Sequence, residues 1–195
     1  QNNGADDQTQ ALNGAFTFTA QNDGTGYLVT VSDSPSTQTC SVTGGTGTIS
    51  GGNVTGVAVN CSTDTYTVSG TISGATGSVT VQNNGADDQT QALNGAFTFS
   101  AQNDGTGYLV TVSDSPSTQT CSVTGGTGTI SGGNVTGVAV SCSTDTYTVS
   151  GTISGATGSV TVQNNGADDQ TQALNGAFTF TAQNDGTGYA VTAVL

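Results

Sequence analysis

The side chains of this chain that could do chemistry are aspartates and cysteines, because its 195 residues include no Lys, Arg or His. A serine or threonine nucleophile would therefore have only aspartate as its general base. Adjacent aspartates occur as Asp6-Asp7, Asp87-Asp88 and Asp168-Asp169, in polar turn regions. Neighbouring residues of a strand point to opposite faces, so we do not expect these pairs to form a carboxylate dyad unless the turn bends them together. We predict a protein without enzymatic activity.

Calcium is the ligand that the aspartates best predict, because carboxylates and the carbonyls of Gly-rich turns are hard oxygen ligands. The chain lacks a D-x-[DN]-x-[DN]-G loop, and solvated acidic turns would account for the same residues. No other cofactor is expected. The candidate calcium ligands are Asp6, Asp7, Asp23, Asp87, Asp88, Asp104, Asp168, Asp169 and Asp185.

The four cysteines occur in two pairs with the same spacing, Cys40 with Cys61 and Cys121 with Cys142. Two cysteines without histidine do not complete a zinc site. We therefore expect one structural disulfide in each pair, formed in an oxidising compartment. Four cysteines allow three connectivities, and the sequence is also compatible with a bridge between repeats such as Cys61–Cys121.

An 81-residue repeat organises the chain. Gln1–Tyr27 recurs as Gln82–Tyr108 and as Gln163–Tyr189, and only the Thr19/Ser100/Thr181 and Asn60/Ser141 columns vary before Tyr189. Near-identical tandem copies are typical of modular, fibre-like proteins, in which an array multiplies length rather than chemistry. The sequence predicts one complete repeat at 65–145, a repeat at 1–64 that lacks its first strands, and a repeat at 146–195 that lacks its cysteine-bearing strands.

Short segments of alternating apolar and polar residues, separated by Gly, Asn and Asp, predict strands throughout each repeat. Val79 and Val81 share one face of such a segment, and Phe97 and Phe99 share a face of another. Asn94-Gly95 between two extended runs predicts a type I′ hairpin. The pattern predicts tandem antiparallel Greek-key β-sandwiches of immunoglobulin-like (Ig-like) size. A β-solenoid is the main rival, but the chain shows no period below 81 residues.

The strings VQNNGADDQTQALNGAFTF, GYLVTV, QTC, GTISGGNVTGVAV and CS resemble repeat domains that occur in tandem in large exported surface proteins of bacteria. These domains are grouped with bacterial Ig-like repeats. The resemblance covers nearly the whole chain and implies an exported, stalk-like repeat without catalytic residues. The cysteines of the family correspond to Cys40/Cys61 and Cys121/Cys142, and the third copy stops before reaching them.

The two terminal repeats lack complementary sets of strands. An open sandwich exposes strand edges, which another chain can fill by donor-strand complementation. Head-to-tail repetition of that contact builds filaments. A window cut from a longer array would give the same two ends. The residues expected in subunit-docking strands are Tyr147, Val149, Ile153, Val160, Val162, Val191, Val194 and Leu195.

These features predict an extracellular structural protein of the bacterial cell surface, a self-assembling filament subunit whose partners are copies of itself. The alternative is the rigid stalk of a large surface adhesin, stiffened by calcium. A net charge of −13 repels nucleic acid, and no apolar run is long enough to enter a membrane as a span. A carbohydrate-binding module is disfavoured, because the few Tyr and Phe residues fall mostly on core positions.

Overall fold

The computed structural model of this protein describes residues 1–194, and every regular element among them is a β-strand. These residues form two compact units. One comprises Gln1–Val68, Ser100–Gly107 and Thr129–Val135, and the other comprises Ser69–Phe99, Tyr108–Gly128 and the residues from Thr136 onward. The all-β fold class is confirmed. The repeat boundaries at 64/65 and 145/146 stay a prediction.

The strands are short, as expected for segments punctuated by turn residues every few positions. Residues 1–66 contain β1 (Gly26–Leu28), β2 (Gln38–Thr43), β3 (Thr46–Thr48), β4 (Ala58–Thr63) and β5 (Thr65–Tyr66). Residues 68–144 contain β6 (Val68–Ser73), β7 (Val79–Asn83), β8 (Ala86–Gln91), β9 (Gly95–Thr98), β10 (Gln102–Asn103), β11 (Gly107–Asp114), β12 (Gln119–Thr124), β13 (Thr127–Thr129) and β14 (Val135–Thr144). Residues 146–194 contain β15 (Thr146–Tyr147), β16 (Ser150–Ile153), β17 (Val160–Asn164), β18 (Ala167–Gln172), β19 (Gly176–Thr179), β20 (Gln183–Asn184) and β21 (Val191–Val194).

Residues 68–144 build two four-stranded sheets, with the strand orders β13-β11-β7-β8 and β12-β14-β6-β9. Each sheet buries alternate apolar residues and exposes the polar residues between them. Val79 and Val81 of β7 are fully buried, as is Val140 of β14, and Phe97 of β9 is 2% exposed. Two sheets that each bury one apolar face are consistent with the β-sandwich class.

The strands of the flanking segments form smaller sheets. Before residue 67, β1 pairs with β3 and β2 pairs with β4, both antiparallel. After residue 145, β16 pairs with β19, and β17 lies between β18 and β21. Two further two-stranded pairings, β5 with β10 and β15 with β20, lie where one sequence copy gives way to the next.

The tight turn between β7 and β8 is set by Asn84 and Gly85. Both have positive φ, 54° and 74°, as a type I′ hairpin requires. Asp87 follows with φ 53°, where the β7–β8 register slips by one residue in a β-bulge. Asparagine and aspartate are the non-glycine residues that best tolerate this conformation. The same backbone recurs at Asn3 and Asp6, and at Asn165 and Asp168.

The type I′ hairpin predicted at Asn94-Gly95 is wrong. β8 pairs with β7 and β9 pairs with β6, so the segment between them crosses from one sheet to the other. The side-chain oxygen of Asn94 accepts a hydrogen bond from the Ala75 amide at 2.8 Å, and Gly95 lies opposite Ile72. β9 pairs with β6 rather than with β8 because burial of its apolar face sets the pairing. This is a long-range effect that a dipeptide signal does not encode.

Candidate functional site

Asp64 forms a junction between two sequence copies within the first unit. Its amide donates to the Thr37 carbonyl at 3.0 Å, and its Oδ1 accepts from the Thr39 hydroxyl at 2.7 Å. Its carbonyl accepts from the Asp104 amide at 2.8 Å. Thr37 precedes the Cys40–Cys61 hairpin and Thr39 lies in its first strand, β2, whereas Asp104 belongs to the next copy. One residue is thus bonded to both copies.

Asp145 forms the equivalent junction within the second unit. Its amide donates to the Thr118 carbonyl at 2.9 Å, and its Oδ1 accepts from the Thr120 hydroxyl at 2.7 Å. Its carbonyl accepts from the Asp185 amide at 2.8 Å. Corresponding distances at the two junctions agree within 0.1 Å. We call this three-bond arrangement, made by Asp64 or Asp145, the junction clamp.

The junction clamp joins the base of one cysteine hairpin to the Asn-Asp-Gly turn of the following copy. Next to each clamp a short antiparallel pair adds backbone bonds, with Tyr66 opposite Gln102 and Tyr147 opposite Gln183. Neither Asp64 nor Asp145 was expected among the site residues. Each of these aspartates lies in a Thr-Asp-Thr triplet between two strand segments. A short polar triplet at that place is typical of a linker, so the sequence does not mark it as a binding position.

Several of the aspartates expected to bind calcium accept hydrogen bonds from backbone amides instead. Asp6 Oδ2 accepts from the Thr19 amide at 2.6 Å, and Asp168 Oδ2 accepts from the Thr181 amide at 2.7 Å. Each bond links the positive-φ aspartate to a backbone amide 13 residues further along the chain. Each carboxylate therefore has a structural partner within its own copy.

The Asn-Asp-Gly aspartates hold turns in the same way. Asp104 is 9% exposed, and its Oδ1 accepts from the amides of Gly105 and Gly132, both at 2.9 Å. Asp23 Oδ1 accepts from the Gly51 amide at 2.8 Å, and Asp185 Oδ1 accepts from the Gly186 amide at 2.8 Å.

The remaining candidate calcium ligands lie at the surface. Across residues 1–194, no three acidic or other metal-ligating side chains come together. The expected calcium ligands are therefore not assembled into a preformed site in the described part of the chain. The exposed members of the full set are Asp7, Asp23, Asp88 and Asp169, and Asp87 is partly exposed.

Both disulfides close within one copy. Cys40 lies directly opposite Cys61 in the β2–β4 pair, and Cys121 lies directly opposite Cys142 in the β12–β14 pair. Each bridge has a Cα–Cα distance of 4.0 Å. A bridge such as Cys61–Cys121 is not formed. Each disulfide therefore staples the hairpin that precedes a junction clamp.

The two cysteine hairpins differ in what covers them. β14 lies between β12 and β6, and its Val140 is fully buried. β4 carries almost the same sequence but pairs only with β2 among the described residues, and Val59, the counterpart of Val140, is 40% exposed. The outer edge of β4 is therefore an unpaired strand edge within residues 1–194.

β16 also has an unpaired edge within the described chain, on the side where its counterpart β6 pairs with β14. Its counterpart β6 lies between β14 and β9, whereas in the described chain β16 pairs with β19 alone. Val68 and Ile72 of the β6 segment are 1% and 2% exposed. Val149 and Ile153, their counterparts, are partly exposed. Identical residues are thus covered in one copy and uncovered in another.

The other residues expected in docking strands have different surroundings. Val160 and Val162 lie in β17, which is already paired on both sides, so they do not offer a free strand edge. Tyr147 lies in the β15–β20 pair and is 62% exposed. Val191 and Val194 of β21 are 40% and 45% exposed. Leu195 lies outside the described residues.

Within residues 1–194 there is no helix of the length and apolarity that a membrane crossing requires. Comparison with protein-family models, curated proteins and solved structures finds no match to this chain.

Proposed function

We propose that this chain is an extracellular structural protein, a non-enzymatic and self-assembling filament subunit built from tandem Ig-like Greek-key sandwiches. The observation that carries the proposal is the junction clamp, which is built at Asp64 and again at Asp145 with the same three bonds. An interface that repeats with constant geometry adds one copy after another in a line.

Filament growth requires a contact between molecules that also repeats with constant geometry. A heterologous contact, in which different surfaces of two copies meet, extends without closing unless its rotation forms a ring. The open edges of β4 and β16 are different surfaces of one chain, and each carries the sequence of a strand that is paired elsewhere in the chain. Strand exchange between head-to-tail copies is therefore the assembly mode that we propose.

The fold and the disulfides support an exported location. The two four-stranded sheets of residues 68–144 fit an Ig-like sandwich, and the sequence resembles tandem surface repeats of bacteria. Two disulfides indicate a compartment outside the reducing cytoplasm. We place the protein on the bacterial cell surface or in filaments released from it.

The charge of the chain limits its partners. At −13, with no basic side chain, it repels nucleic acid and its own copies at long range. Short-range strand pairing must overcome this repulsion, which salt screens within about 10 Å at 0.1 M. Assembly should therefore strengthen as ionic strength rises.

The rigid stalk of a bacterial surface adhesin is the second candidate. It is favoured by the position of both junction clamps within one chain, where they stiffen an array without a second molecule. Calcium could stiffen such a stalk further by bridging surface aspartates. Thermal melting in EDTA and in millimolar calcium tests this addition, since an unchanged midpoint removes it.

Sedimentation velocity over a range of protein concentrations distinguishes the two functions. A filament subunit gives species that grow with concentration far beyond the 19.0 kDa chain. A stalk stays at the mass of one chain and sediments slowly for that mass, as a rod does. A single species of that mass at all concentrations and salt levels contradicts the filament proposal.

A further inference from the structure

We propose that the outer edge of β4 in one molecule pairs with the outer edge of β16 in a second copy. This inference rests on the proposed filament function and names the contact by which the filament grows. The occupant of each edge is a second copy of this chain, because the chain itself contains the paired form of the same two segments.

Residues 67–74 and 134–142 show that paired form. The Val135 amide donates to the Thr67 carbonyl at 2.9 Å, and the Thr67 amide donates to Asn134 Oδ1 at 2.9 Å. Further along, the Ser73 hydroxyl donates to the Val140 carbonyl at 3.3 Å. The bonded residues rise in number along both segments together, so the two segments run parallel.

The open edges carry the same residues as this template. Residues 148–155 repeat residues 67–74 without change, and residues 53–61 repeat residues 134–142 except for Asn60 in place of Ser141. Between two molecules, the Thr148 amide would donate to Asn53 Oδ1, and the Ser154 hydroxyl would donate to the Val59 carbonyl.

Charge also favours this pairing. Neither 53–61 nor 148–155 contains an aspartate, although the chain as a whole carries thirteen acidic residues. Like charges placed directly opposite each other destabilise strand pairs. These two edges can pair without placing like charges opposite each other. Pairing would also give Val59, now 40% exposed, the strand neighbours that its fully buried counterpart Val140 has in β14, and burial of a valine side chain is favourable.

Gly155 offers a way to block the contact without disturbing the chain that carries it. At its counterpart Gly74, a Cβ atom would lie 2.2 Å from the Cys142 carbonyl oxygen, so only glycine fits beside the paired strand. At Gly155 a Cβ atom would meet no described atom within 4 Å. Pairing with a second copy would bring the Cys61 carbonyl to that position.

The test compares Gly155→Asn with Gly166→Asn. Both glycines have positive φ, 74° and 73°, and neither has a described neighbour within 4 Å of its Cβ position. Asparagine tolerates this backbone, as Asn84 does at φ 54°. By sedimentation velocity, Gly155→Asn should weaken self-association at least about tenfold, whereas Gly166→Asn should leave it unchanged. Equal self-association of the two variants overturns the inference.

Hydrogen exchange locates the contact. Peptides spanning 54–60 and 135–141 differ in mass because Asn60 replaces Ser141, and the same difference separates 60–72 from 141–153. In the unmodified chain, amides in 54–60 and 141–153 should become protected as concentration rises, and Gly155→Asn should abolish that gain. Protection of these peptides that does not depend on concentration contradicts pairing between copies.

The outcomes separate this inference from the filament proposal. Filaments that form with no added protection in 54–60, or that survive Gly155→Asn, refute the β4–β16 contact but leave the filament function standing. Concentration-dependent protection in particles that close as dimers or rings supports the contact and refutes the filament function. A chain that never associates refutes both.

Discussion

The same valine in two sequence copies should contribute differently to stability. Val140 is fully buried in β14, whereas Val59, its counterpart 81 residues earlier, is 40% exposed in β4. The substitutions Val140→Ala and Val59→Ala remove the same atoms from almost the same local sequence. Any difference in their effect therefore reports what covers each strand.

The expected magnitudes follow from burial. Replacing valine by alanine removes two methyl-sized groups, each worth about 0.8 kcal/mol when buried, and a closed core adds a cavity term. We expect Val140→Ala to cost about 2–3 kcal/mol. At Val59 the loss scales with partial burial and no closed cavity forms, so the cost in the single chain should stay below about 1 kcal/mol.

Native-state hydrogen exchange measured by mass spectrometry suits this comparison, because each substituted peptide has its own mass. The opening free energy is read from the 135–141 peptide for Val140→Ala and from the 54–60 peptide for Val59→Ala. Measurement at low protein concentration reports the single chain. Under assembly conditions the cost of Val59→Ala should rise towards that of Val140→Ala, because β16 of a second copy would then cover Val59.

Two results would refute this reasoning. Equal costs in the single chain would mean that β4 is already covered. An unchanged small cost for Val59→Ala in fully assembled material would mean that assembly leaves β4 open. Val138→Ala provides a control, because Val138 is also buried in β14 and should lose a similar stability in both conditions.

Three further predictions concern the staples and the turns. Replacing Cys121 and Cys142 together by serine opens a loop with a sequence separation of 21 residues. This change should lower the free energy of unfolding in urea by about 3 kcal/mol. An unchanged urea midpoint would contradict the stapling role of the disulfide. Asp168→Ala loses a hydrogen bond to a backbone amide and replaces a positive-φ aspartate, so it should lower the free energy of unfolding by about 1–2 kcal/mol in thermal or urea unfolding. Asp169→Ala, at the neighbouring exposed residue, should cost almost nothing. Equal costs would show that the Asp168 carboxylate does not stabilise the bulge. Asp145→Ala removes the side-chain bond of the clamp to Thr120 and keeps its two backbone bonds. Losing that anchor should speed amide exchange in the following Asn-Asp-Gly turn by an amount equivalent to about 0.5–1 kcal/mol, with core amides unaffected. Unchanged exchange there would show that the side-chain bond does not contribute to the clamp.

The sequence predicted local structure well where the signal was local. Alternation predicted the strand that contains Val79 and Val81, and the tight turn after it, at Asn84-Gly85, is made of the Asn and Gly residues expected between strands. The spacing of the cysteines favoured the bridges that the structure forms. These features depend on residues that lie near each other along the chain or directly across one hairpin.

Partner choice between strands could not be predicted in the same way. Asn94-Gly95 has the composition of a hairpin turn, yet it connects two sheets, because β9 pairs with β6 rather than with β8. Likewise, Val29 and Val110 are buried at 6% and 3% exposure, whereas Val191 at the same repeat position is 40% exposed. Near-identical sequence fixes similar strands but not what lies against them.

The junction clamp was also beyond the reach of sequence reasoning. Asp64 and Asp145 each bond to residues about 25 and 40 positions away, and two of the three bonds, including the one to the next copy, use backbone groups that any residue possesses. Asn83 and Asn164, both 2% exposed, were likewise not expected to be buried, although their side-chain oxygens accept hydrogen bonds from the Leu109 and Ala190 amides. Backbone-mediated bonds leave little trace in residue identity.

Negative-stain electron microscopy of the purified, oxidised chain at increasing salt tests the central claim most directly. Clamped, stapled sandwiches that exchange strands between copies predict unbranched fibres of uniform width that lengthen with concentration and are lost in the Gly155→Asn variant. Isolated particles of single-chain size at every concentration and ionic strength would contradict the account.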